Sequence, residues 1–231
     1  MLFRSALIFF ESPIWIDLDG EIRAPAGLPG PSDVSGVVWA PHYYDGITLL
    51  TSVDDRYMGH PDFEPVYAEL DRRGAVVLIH PCYPPGTEAD GWDIPRMLID
   101  YPFETTRVAI NLIFKGVIAR YPNIRFILSH AGGTLPFLVH RVAIFDKRTP
   151  FQDNYPDGVQ AAVGKFWFDT ALSGAAVPLQ GLTGIADPSR ILFGTDYPYI
   201  PADAVAEETA GLDAWQGFSD DERAAVDRTN A

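Results

Sequence analysis

Five short apolar runs, separated by stretches of helical texture, constrain this chain more than any other feature. They are GITLLTS (46–52), AVVLIH (75–80), RFILSH (125–130), KFWFDT (165–170) and RILFGTD (190–196). AVVLIH and RFILSH are continuous rather than alternating, the pattern of strands covered on both faces. In DFEPVYAELDRRG, Phe63, Val66, Tyr67 and Leu70 fall at i, i+3, i+4 and i+7, with Asp62 as a candidate cap and Gly74 as a stop. In TTRVAINLIFKGVIARYP one stripe runs through Ile110, Ile113, Phe114, Val117 and Ile118, and Pro122 ends it. Further helices are expected from Thr134 towards Lys147, in AAVPLQGLTGIA, and in the acidic tail from Ala202 to Ala231. Strands alternating with helices predict parallel βα units. Five such units without a GxGxxG fingerprint favour an α/β fold of the TIM-type (β/α)8 barrel class over a dinucleotide-binding sheet.

A full barrel of this kind takes about 250 residues, so residues 1–45 would have to supply its first three units. SALIFF (5–10) and SGVVWA (35–40) can each be a strand, but DGEIRAPAGLPGPSD (19–33) reads as loop, and no helical stripe precedes residue 62. The expected organisation is a barrel domain over 46–231 behind an atypical segment 1–45, incomplete or altered at its start.

The 31 acidic and 17 basic residues give a formal charge of −14, which repels phosphate backbones and anionic membrane surfaces. No nucleic-acid partner is expected. No apolar stretch approaches the roughly 20 residues of a membrane span. The opening MLFRSALIFFESPIW is interrupted by Glu11 and lacks a small-residue cleavage site, so no leader is expected. The single cysteine, Cys82, fits a reducing compartment, and a cytoplasmic location is the expectation.

In a barrel, chemistry gathers at the carboxyl ends of the strands. There this sequence places His80, His130, Asp169 and Asp196, with Gly132 and Gly133 beside His130 to allow close approach of a backbone or ligand. Each has a plainer reading. His80 suits a turn before Pro81, Asp196 a turn bonded to its own backbone, and Asp169 a loop brace. Independent turn residues need not all fall on strand ends, and the conjunction favours a site. His42 and His60 lie in loops without partner spacing, and His140 is expected on a helix surface.

The segments HPDFEPVYAELDRRGAVVLIHP, YPFETTRVAINLIFKGVIARYPNIRFILSHAGGTLPFLVHR, FWFDTALSG and RILFGTDYPYIP together resemble the amidohydrolase-related (amidohydrolase 2) family. The branch is that of the aminocarboxymuconate-semialdehyde, γ-resorcylate and 6-methylsalicylate decarboxylases. The resemblance implies a homodimeric, metal-dependent enzyme that decarboxylates a small carboxylic acid substrate without oxidation. His80 and Asp196 match metal ligands of that family, for Zn or alternatively Mn. His130 matches the histidine that assists proton transfer, with Asp196 as the other group able to deliver the proton. Arg141 matches an arginine that reaches a substrate carboxylate across the dimer interface. A close relative would hydrolyse a lactone, ester or amide instead. Members open with an HxH strand or its Glu variant, and neither motif occurs here. Asp17 and Asp19 in WIDLDG are the nearest imitation, although DLDG is also an ordinary turn signal. Two protein ligands hold a metal poorly, so a non-catalytic, incomplete barrel is the third alternative.

Overall fold

All five apolar runs contribute strands to a single sheet. The computed structural model describes residues 15–16, 22–23, 46–86, 93–148 and 150–231. Strands β1 (Gly46–Leu50), β2 (Val76–His80), β3 (Arg125–Leu128), β4 (Trp167–Asp169) and β5 (Ile191–Leu192) lie in that order, and every pairing is parallel. Each strand neighbours its successor in sequence, with no reversal of order. That is the wall of a TIM-type barrel rather than a doubly wound sheet. Among the described residues β1 and β5 do not meet, so the barrel is not closed.

The connections are helical. Helix α1 (Glu64–Arg73) leads from β1 to β2, and α2 (Asp100–Phe114) with α3 (Val117–Arg120) leads from β2 to β3. Helices α4 (Leu135–Phe145) and α5 (Val159–Val163) lead to β4, and α6 (Ala176–Thr183) leads to β5. Helices α7 (Ala202–Ala214) and α8 (Asp220–Ala224) follow β5.

Strand alternation divides the core into two faces. Val77, Ile79, Phe126, Leu128, Phe168 and Ile191 pack against the helices in one large cluster. Leu78, Ile127 and Leu192 form a smaller cluster on the other face, with Val76 and Trp167 at its margin. Covering on both faces is what the continuous apolar runs required.

Several expectations need correcting. The helix predicted to run to Pro122 stops at Phe114, because Gly116 adopts a left-handed conformation with φ 70° and restarts the chain as α3. The face of α2 that is fully buried carries Val108, Ala109, Leu112 and Ile113, while Ile110 and Phe114 sit partly buried at its edge. Gly74 does end α1, with φ 60°, but Asp62 caps nothing. His60 caps the turn Pro61–Phe63 instead, its Nδ1 accepting the Asp62 N–H at 3.2 Å. The acidic tail is not one helix. It breaks after Ala214, resumes at a capping box formed by Ser219 and Glu222, and ends in a π-turn over Ala225–Thr229. Strand β5 is shorter than its apolar run because the Phe193 N–H leaves the sheet to bond Val226 O.

Trp15–Ile16 and Ile22–Arg23 pair antiparallel, and Asp17 and Asp19 fall between them, outside the described residues. The strands expected over 5–10 and 35–40, and His42, also fall outside them. No helix among the described residues is long and apolar enough to cross a membrane.

Candidate metal centre

His80 follows Leu78 by two residues and so faces the same side of the sheet. At the carboxyl ends of β2, β3 and β5 the chain brings together His80, His130 and Asp196, with one potential ligand atom from each lying within 4.8 Å of the others. His80 Nε2 lies 3.8 Å from Asp196 Oδ1, and His130 Nε2 lies 3.8 Å from Asp196 Oδ2. The two imidazole centroids are 5.6 Å apart, with planes inclined by 70°. A separation of 3.8 Å is too long for a hydrogen bond. It suits donor atoms arranged about one shared cation. His80 Nδ1 stands 3.0 Å from Pro81 O, the carbonyl to which it donates its N–H, and Nε2 is the ring nitrogen turned to Asp196. Fixing the tautomer through the other ring nitrogen is the usual support of a metal-binding histidine.

The electrostatics agree. Burial pushes the Asp196 carboxyl upward, but the two imidazoles outweigh it and hold the group at about 2, so it is ionised at neutral pH. His130 is 8% exposed. Burial opposes its charge, yet Asp196 and the nearby Asp169 carboxylate outweigh that and raise its pKa above the ordinary value. Asp169 is itself raised, chiefly by burial.

The loop after β3 explains the glycines. His130 and Ala131 have φ 55°, Gly132 75° and Gly133 63°. A Cβ on Gly132 would stand 2.9 Å from the Phe168 ring, and one on Gly133 would stand 2.0 Å from Pro102 O. The loop therefore passes between β4 and the first turn of α2, and only glycine fits at those two positions. Asp196 is also left-handed, with φ 59°.

The structure does not bring every candidate together. Arg141 lies exposed on α4, and the His80–His130–Asp196 group does not include it. His140 is exposed on the same helix, as expected. Tyr101 was missed in the sequence: its ring meets His80 edge-on at 6.1 Å and Tyr83 at 5.6 Å. It stands in the first turn of a helix, so no strand-end signal could have marked it. A cavity of about 270 Å³ lined by Ala143, Asp146, Tyr155 and Val159, among others, shares no residue with the histidine–aspartate group.

Comparison with known proteins adds to this geometry. The profile of a family described as amidohydrolase matches residues 23–231. A 6-methylsalicylic acid decarboxylase of Penicillium expansum is 42% identical over 175 residues, which cover 74% of this chain and 54% of the relative. A 2-amino-3-carboxymuconate-6-semialdehyde decarboxylase of Dictyostelium discoideum is 29% identical over 156 residues, covering 67% and 43%. The crystal structure of an amidohydrolase II superposes with a TM-score of 0.72 at 30% identity, over 80% of this chain and 60% of that one. A dihydroxybenzoic acid decarboxylase from a Polaromonas species, solved with bound manganese and an inhibitor, shares the fold with a TM-score of 0.67 at 20% identity, over 81% and 59%. The chain spans about half the length of the curated relatives it matches.

Proposed function

Because the chain belongs to the amidohydrolase family, we propose that it is a metal-dependent, non-oxidative decarboxylase of a small carboxylated phenol, enol or muconate-type acid. The observation that carries this reading is the convergence of His80, His130 and Asp196 at the carboxyl ends of β2, β3 and β5 in one parallel sheet. His80 Nε2 and the ionised Asp196 carboxylate would hold the ion. An imidazole and a carboxylate suit zinc, our first choice, and also manganese. The ion would supply a Lewis acid that binds and polarises the substrate oxygens.

The protein's own groups then divide the work. Asp196, held at about 2 by the two imidazoles, is a poorer proton donor than His130 at neutral pH. His130, whose charged form Asp196 and Asp169 favour against the effect of burial, is the group assigned to deliver the proton to the carbon bearing the carboxylate. The bond from that carbon to the carboxylate breaks, its electron pair returns to the aromatic or conjugated system, and CO2 leaves. His130 regains its proton from solvent. The 4.8 Å clustering of all three donor atoms also favours a second assignment, with His130 as a third ligand. Metal retained in His130→Gln would support the proton carrier, and metal lost would support the ligand.

Arg141 is exposed on α4, one turn from Phe137, which is 86% exposed, and near Ile144 and Phe145, which are about half exposed. An arginine beside an uncovered apolar face fits a homodimer in which Arg141 reaches the substrate carboxylate in the neighbouring site. Arg141→Ala should then raise KM without changing metal content. The free thiol of Cys82 fits a cytoplasmic setting.

The test is CO2 release by the metal-loaded protein from 6-methylsalicylic acid and a panel of hydroxybenzoates and muconates. Release abolished by His130→Gln supports the reading. Turnover of lactones or esters with no CO2 would replace it with a hydrolase.

A further inference from the structure

Strand β4 supplies none of the three convergent side chains, yet its last residue touches the loop that does. The His130 N–H donates to Asp169 Oδ1 at 2.7 Å, and the same oxygen accepts the Ala171 N–H at 3.1 Å. Phe168 pairs with Leu128 in the sheet, so Asp169 stands one residue beyond the level at which β3 ends. Asp169 is buried, and room for it is made by Gly194, where a Cβ would lie 2.9 Å from Asp169 Cβ. The next residue ties β4 to the other side: Thr170 Oγ1 accepts the Gly194 N–H at 3.2 Å, two residues before Asp196.

The far end of the His130 loop is held in the same manner. Thr134 N–H donates to Thr106 Oγ1 at 2.8 Å, and the Thr106 hydroxyl donates to Pro102 O at 2.8 Å. Between the two anchors lie four successive residues with positive φ, and two of them, His130 and Ala131, are not glycine. A left-handed backbone is disfavoured at such residues and persists only where its surroundings impose it. Strand pairing does not impose it here, since β3 ends at Leu128.

We propose that Asp169 is a positioning residue: by accepting the His130 N–H, with Thr106 anchoring Thr134 at the other end, it holds the loop in the left-handed course that aims the His130 imidazole at Asp196. The proposal rests on the decarboxylase reading only in taking His130 to act at the site. An uncharged side chain with an oxygen in the same place can serve, because the function is that of a hydrogen-bond acceptor.

The experiment compares Asp169→Asn and Asp169→Ala in the metal-loaded protein, by backbone amide exchange and by kcat and KM for CO2 release. In Asp169→Ala, exchange over 129–134 should quicken by about tenfold, with strand 76–79 unaffected. The kcat should fall by about 10- to 100-fold while KM and metal content stay unchanged. Asp169→Asn should restore both quantities towards wild type. Unchanged exchange over 129–134 in Asp169→Ala would overturn the proposal, as would an Asn variant as impaired as the Ala variant. If the wild-type protein releases no CO2 while the exchange pattern appears as described, the anchor stands and the decarboxylase reading fails. Should Asp169→Ala not fold, Thr106→Val removes the second acceptor and keeps the shape. Faster exchange over 130–134 is then expected, and unchanged exchange refutes the account.

Discussion

The two ends of the parallel sheet handle tight turns differently. At the amino ends, the turns leading from α1 into β2 and from α2 into α3 use glycine, with Gly74 at φ 60° and Gly116 at φ 70°. In the loops that follow the strands, the same backbone region is also occupied by residues bearing a Cβ. All six such residues among those described, Asp54, Asp55, His130, Ala131, Leu172 and Asp196, stand there. Polar contacts differ as well. At the amino ends they are exposed and local in purpose, such as Asp71 bonding Asn123 twice, at 2.8 and 3.1 Å. At the carboxyl ends Ser129, His130, Asp169 and Thr170 are buried. At His130 and Asp196 the strained backbone presents a side chain to the cluster, whereas Gly74 and Gly116 serve the turn alone.

The sharpest test of that contrast exchanges activity for stability. His130→Gln should lower kcat by about 10²- to 10⁴-fold with little change in Tm. Asp71→Ala should leave kcat unchanged and cost about 1 kcal/mol of unfolding free energy. A loss of turnover in Asp71→Ala would break the division between the two ends. Two glycines sharpen it further. In Gly133→Ala the new Cβ would press on Pro102 O, at a cost of about 3 kcal/mol in urea unfolding. In Gly74→Ala the nearest atom is 4.0 Å away, so only the left-handed backbone is penalised, by about 1 kcal/mol.

The pH dependence of the metal-free protein follows from the same cluster. Asp196 is depressed from 3.8 to about 2, so its pairing stabilises fully above about pH 4 and is lost as pH falls towards 2. His130 is raised above 6.5, so its contribution is complete below that pH and is lost as pH rises through the folded value. The Tm advantage of wild type over Asp196→Asn should therefore be greatest between these limits and shrink on the acid side. An advantage that persists unchanged to pH 2 would contradict the pairing. The smallest effect is expected at Leu172, which is half-exposed with φ 51°. Leu172→Gly should gain about 0.5–1 kcal/mol by relieving the backbone. A loss would mean that the side chain's contacts outweigh the strain.

Those features legible in the sequence were the ones written locally. The continuous runs at 75–80 and 125–130 identified strands, and reading their last residues found His80 and His130, as GTD after the final run found Asp196. What was illegible depends on partners far along the chain. The break at Gly116 was hidden because apolar residues continue through Val117 and Ile118, so the stripe looks unbroken. Asp169 was legible as a strand-end candidate or a loop brace, but not what it braces, since its partner His130 is 39 residues away. Thr106 gave no signal at all, being one hydroxyl inside a helix.

The central claim is that His80 and Asp196 hold one ion beside His130, and metal stoichiometry tests it most directly. Purified protein would be equilibrated with Zn²⁺ or Mn²⁺, freed of excess ion by gel filtration, and its metal measured per chain. The account predicts about one ion per chain in wild type and none in His80→Ala or Asp196→Ala that remain folded. Wild-type protein without metal, or variants that retain it, would contradict the account.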